Sequence, residues 1–127
     1  MLNAEQLNKI EEVLIAGCEK HLANGGVIVS GVFSNSSGGC CPIWSSIDQE
    51  LLVSKNIKWP LNQAHWGFIQ AVGFTMSEIA MSALMEGFDG LENKCGEEQM
   101  YALGKKLREK YIINRKEIFN GNQSNLE

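Results

Sequence analysis

Residues 73–90 read GFTMSEIAMSALMEGFDG, and this stretch decides the fold class. Gly73 ends one helix. Thr75-Met76-Ser77-Glu78 has the form of a capping box, in which a hydroxyl and a carboxylate three residues on each satisfy a free N–H of the first helical turn. Ile79, Ala80, Ala83 and Leu84 follow at helical spacing and form an inward stripe. Gly87 closes this helix, and Phe88-Asp89-Gly90 reads as a turn.

Helical patterning continues on both sides. Downstream, a last helix is expected from about Glu97 to Ile113, burying Met100, Leu103, Leu107 and Tyr111. Lys105, Lys106, Arg108 and Lys110 fall in its second half, where cations complement the helix dipole. Upstream, Asn62 caps a helix through about Val72 that carries Trp66, Phe68, Ile69 and Val72. It is apolar on more than one face, which places it centrally. Pro60 separates it from a short helix within Ser46 to Lys55, capped by Ser46, with Ile47, Leu51 and Leu52 inward.

The N-terminal third adds a β element. Asn3 and Gln6 form a second capping box, opening a helix from about Ala4 to Ala23 whose stripe is Leu7, Ile10, Leu14, Cys18 and Leu22. Asn24-Gly25-Gly26 stops it. The β-branched run Val27 to Phe33 reads as a strand and Asn35 to Gly39 as a turn. Cys40 to Trp44 then completes a hairpin, as an edge strand because Pro42 cannot donate to a ladder. The expected fold is α+β, mainly α. It is a single domain over residues 1–119 with a short β-hairpin packed on a helical core, followed by a polar tail at 120–127.

Composition narrows the function. At 127 residues the chain suits one core, and its net charge of −4 argues against a general polyanion binder. No apolar stretch of membrane-spanning length occurs, so no membrane association is expected. Met1 to Gln6 lacks a basic start followed by an apolar run. The expected location is therefore cytoplasmic, and Cys18, Cys40, Cys41 and Cys95 are read as reduced thiols.

Candidate chemistry is sparse. The neighbouring Cys40 and Cys41 could bind a soft metal or change redox state, but no basic residue nearby lowers a thiol pKa, and a structural role is the simpler reading. Cys18 and His21 share a helical face, yet no zinc-ligand spacing completes them. A Cys–His nucleophile pair would need His65, which sits beside Trp66 as a core-edge histidine does. Asp89 fits a turn that bonds its own backbone; if buried it needs a partner, and Arg108 is the candidate. Gln70 to Ser82 has the spacing of a helix-turn-helix DNA binder, but no Lys or Arg occurs between Lys58 and Lys94. It is read as a packed helix pair. The cations from Lys105 to Lys116 are read as a solvated helix end, and no phosphate loop is present.

Three segments occur in order: Cys40-Cys41-Pro42-Ile43, then Gly87-Phe88-Asp89-Gly90, then Leu103 to Tyr111. The set resembles small uncharacterised bacterial proteins with a Cys-Cys-Pro-Leu segment, a Gly-Phe-Asp-Gly turn and a Leu-Gly-x-x-Leu-Arg-x-x-Tyr helix. Ile43 and Trp44 depart from that pattern, where Leu and Gly are expected. The resemblance implies that the three segments meet in space around Asp89 and Arg108, and implies no reaction. The chain is read as a small non-catalytic binding protein for a protein partner or a small metabolite, without a cofactor. Its ligand-binding candidates are Cys40, Cys41, Trp44, Phe88, Asp89 and Arg108. The alternatives are a thiol-based redox or metal-binding protein using Cys40 and Cys41, and a DNA binder disfavoured by charge. Trp44, Trp59, Trp66 and Phe88 are many large rings for the helix interiors available, so a homo-oligomer is also expected.

Overall fold

Asn3 does what its spacing requires. Its side chain accepts the Gln6 N–H at 2.8 Å while the Gln6 carboxamide accepts the Asn3 N–H at 3.0 Å, and α1 runs Ala4–Ala23 from that cap. The computed structural model describes residues 2–56 and 60–114; Trp59 and the expected tail at 120–127 lie outside them. After α1 come β1 (Val27–Ile28), β2 (Gly39–Cys40), α2 (Pro42–Ser45), α3 (Gln49–Lys55), α4 (Pro60–Val72), α5 (Glu78–Asp89) and α6 (Glu98–Arg108). A π-helical turn, Glu109–Ile113, continues α6. The architecture is α+β and mainly α. No described helix is long and apolar enough to cross a membrane.

The expected hairpin is a parallel ladder instead. β1 pairs with β2 in register Val27 with Gly39 and Ile28 with Cys40, and Ser34 bridges Cys40 in the antiparallel sense from the other side. The run Val27 to Phe33 does not stay extended because Gly31 takes a φ of +85°, a conformation that turns the chain. The segment after it therefore returns along β2 rather than β1. Pro42 is not in an edge strand. It occupies the first turn of α2, where its missing N–H costs nothing, and the Cys41 sulfur caps that turn by accepting the Trp44 N–H at 3.5 Å.

Other starts and stops shift by a few residues. Asp48, not Ser46, caps α3. Pro60, not Asn62, begins α4. Ser77, not Thr75, caps α5, accepting the Ala80 N–H at 3.1 Å. Gly87 lies inside α5, which continues through Phe88 and Asp89 to Gly90. Ile79 consequently faces outward at 59% exposure, and the buried face is Ala80, Met81, Ala83, Leu84, Gly87 and Phe88.

One connected apolar core runs from Ile10 to Tyr111. It takes Leu14 and Cys18 from α1, Phe68 from α4, Leu84 and Phe88 from α5, and Met100 and Leu107 from α6. Each such aliphatic or aromatic side chain contributes about 1.5–3 kcal/mol on burial. Trp44 and Trp66 are half-buried against this core and Phe88 lies inside it. The backbone of α5 lies against α6 rather than α4, so the expected packed pair from Gln70 to Ser82 is replaced by the α5–α6 crossing. The Tyr111 hydroxyl donates to the Glu19 carboxylate at 2.9 Å and ties the π-helical turn to α1.

Candidate functional site

The turn at Gly31 carries Val32 and Phe33 across the C-terminal end of α5. The Asp89 carboxylate accepts the Gly31 N–H at 2.8 Å, joining positions 58 residues apart. Behind the loop, the Phe33 carbonyl accepts the Cys41 N–H at 2.9 Å, and the Phe33 and Trp44 rings lie 5.7 Å apart, tilted by 32°. Phe33 is thus held from two sides. Beneath it opens a cavity of about 90 Å³. Val32, Phe33, Cys41, Pro42 and Ile43 wall it on one side, and Leu84, Met85, Phe88 and Leu107 on the other. Among the described residues, Asp89 supplies the one charged side chain in its lining.

The sequence-derived candidates divide. Cys41, Phe88 and Asp89 line the cavity. Cys40 is buried in β2 beside it, and Trp44 stands behind Phe33. Arg108 faces elsewhere. Its Nη1 donates to the Phe88 carbonyl at 3.0 Å, its guanidinium lies over Gly90, and it borders a separate outer groove with Tyr101 and Lys105. The expected Asp89–Arg108 pair is therefore replaced by two backbone contacts at the end of α5. Val32, Leu84 and Leu107 were missed as lining residues. The available signal was Gly31, since a lone glycine within a strand-like run marks a bend or a close approach.

Thiol chemistry is disfavoured by burial. It pushes the Cys18 thiol up to about 12, against the pull of the Ser45 hydroxyl. Burial likewise pushes Cys41 up to about 12, against hydrogen bonds from the Trp44 and Ile43 N–H groups, and raises Cys40. All three are protonated at neutral pH, and a protonated thiol is a poor nucleophile and ligand. All four cysteines are free. Among the described residues, no group of three or more His, Cys, Asp or Glu is placed to hold a metal ion. His65 Nε2 donates to the Met76 carbonyl at 2.7 Å, and His21 Nε2 to the Gly38 carbonyl at 2.8 Å, so both rings serve as struts.

These thiols make stability fall with alkali. In the unfolded chain they ionise near 9.0, whereas in the folded chain Cys18 and Cys41 hold their protons to about 12. The unfolded state therefore releases protons first as the pH rises. Their contribution is whole below pH 9 and is lost as the pH climbs towards 12. The urea midpoint should drop through this window, and Cys18→Ala should flatten the drop.

No protein family, curated protein or solved structure matches this chain.

Proposed function

We propose that the chain is a non-catalytic binding module that takes one apolar side chain of a partner protein into the pocket under the 31–33 loop. The pocket's size and walls carry this reading: about 90 Å³, apolar on both sides, with a single carboxylate among its described lining residues. Sites for whole small molecules span about 300–1,000 Å³. An engineered apolar cavity of about 150 Å³ in another protein admits benzene. The volume here suits a smaller, branched side chain such as leucine or valine. The three segments that carry the sequence resemblance all contribute walls, through Cys41 and Ile43, Phe88 and Asp89, and Leu107. Among the described lining residues Cys41 holds a protonated thiol and the Asp89 carboxylate is bonded to the Gly31 N–H, an arrangement that supports recognition.

Capped amino acids test it. Titration with N-acetyl-leucine methylamide should shift the backbone amide resonances of Gly31, Val32, Phe33 and Asp89, while the alanine analogue leaves them in place. Val32 is 49% exposed at the mouth, so Val32→Asp should keep the fold and abolish the leucine-induced shifts. Shifts scattered over the surface, or unaffected by Val32→Asp, would remove the pocket from consideration.

A further inference from the structure

We infer that the partner residue entering the pocket is flanked by a lysine or arginine, which pairs with Asp89. This rests on the pocket's taking an apolar side chain. The added claim comes from charge. Among the described lining residues Asp89 is the one ionisable carboxylate, and it stands at the C-terminal end of α5 against the Gly31 loop. One of its oxygens receives the Gly31 N–H. Among the described residues the one ion pair is Lys106–Glu11, so no described cation lies within ion-pair reach of the Asp89 carboxylate. The adjacent cation, Arg108, is committed to the Phe88 carbonyl and to the outer groove. Among the described residues, no Lys or Arg lines the pocket.

A partially desolvated carboxylate beside apolar walls favours a cationic neighbour and disfavours an anionic one. An apolar side chain joined to a cation meets both halves of the site: the hydrocarbon fills the cavity, and the ammonium or guanidinium reaches Asp89. The chain's net charge of −4 acts in the same direction at longer range. The occupant is a protein segment rather than a free amine, because the cavity is side-chain-sized and leaves the rest of the ligand outside.

Three capped dipeptides separate these claims: N-acetyl-Leu-Lys-amide, N-acetyl-Leu-Gln-amide and N-acetyl-Leu-Glu-amide. Binding is followed at the Gly31 and Val32 amides. The lysine peptide should bind about fivefold tighter than the glutamine peptide, the upper end for an exposed ion pair, and the glutamate peptide more weakly than either. Asp89→Asn keeps an oxygen acceptor for the Gly31 N–H while removing the charge. It should bring the lysine-to-glutamine ratio to near one, as should about 1 M salt, where the screening length is about 3 Å.

Equal binding of the lysine and glutamine peptides to the native chain overturns the inference and leaves the pocket reading standing. Lysine preference that survives Asp89→Asn also overturns it, by assigning the effect to overall charge. Isopentylamine binding tighter than the lysine dipeptide overturns the protein occupant in favour of a small amine. Failure of all three peptides to bind removes the pocket reading itself, and the inference with it.

Discussion

Gly104→Ala should lower the melting temperature by about 10 °C or more, although alanine is the better helix former. The reason is the crossing of α5 and α6. A Cβ built on Gly104 would sit inside the Leu84 carbonyl oxygen and 2.8 Å from the Phe88 nitrogen. From the opposite side, a Cβ on Gly87 would overlap the Tyr101 carbonyl oxygen and come within 3.0 Å of the Lys105 nitrogen. These neighbours are backbone atoms of hydrogen-bonded helices, so they cannot rotate away as a side chain can. The helices would have to separate.

Separation loosens Leu84, Phe88, Met100 and Leu107, all buried between or beside the two helices. Overpacking a tight core costs about 1–3 kcal/mol and occasionally more. The helix-propensity gain of Gly→Ala offsets about 1 kcal/mol at most. With backbone on both sides, the net loss should lie at the upper end, about 3 kcal/mol, which is a fall of about 10 °C for a domain of this size. Thermal melts of Gly104→Ala and Gly87→Ala check it. A melting temperature at or above that of the native chain would mean that the crossing is not close.

That crossing also shows where sequence reading stops. A glycine within a helical pattern looks like a terminator, so the local pattern at Gly87 reads as the end of a helix. What makes it glycine is a carbonyl on another helix, and no local pattern contains that carbonyl. The capping box of α1 was legible because Asn3 and Gln6 satisfy each other within one turn. The cap of α5 lies two residues beyond the expected one because Thr75 and Ser77 both offer a hydroxyl, and the path of the chain after Gly73 chooses between them. That small shift turns Ile79 outward. The direction of the ladder is hidden for a similar reason. Apolar periodicity marks Val27 and Ile28 as strand-like, but whether they meet Gly39 and Cys40 in parallel depends on how Gly31 folds the intervening loop. For the candidate site, Cys41, Phe88 and Asp89 stood out through their segments, while Leu84 and Leu107 were ordinary members of inward stripes. A period of 3.6 states that a residue faces inward; it does not state that it faces a void.

Phe88→Ala should destabilise the fold by about 4 kcal/mol and, unlike other core truncations, be partly reversible by a small aromatic ligand. Phe88 is 2% exposed, belongs to the core and forms one wall of the pocket. Phe-to-Ala changes at such positions cost about 3–5 kcal/mol, and the cost grows with the cavity left behind. Here the new space adjoins an existing cavity of about 90 Å³ whose other walls are anchored, which limits collapse. Leu107 is fixed by α6, Ile43 by α2, and Phe33 by the Cys41 N–H and the Trp44 ring. The enlarged space should therefore persist as a largely apolar pocket able to admit a small aromatic. Benzene or toluene at ten times its dissociation constant would then restore about 1.4 kcal/mol by mass action, seen as a rise of about 5 °C in melting temperature. The control is Phe68→Ala, equally buried in α4 but not lining the pocket, which should lose comparable stability with a smaller aromatic-dependent recovery. Equal recovery of both variants would show that the ligand fills any void in the core. Recovery confined to Phe88→Ala would show that the cavity under the Gly31 loop is held open by its surroundings, which is the physical condition for its use as a binding pocket.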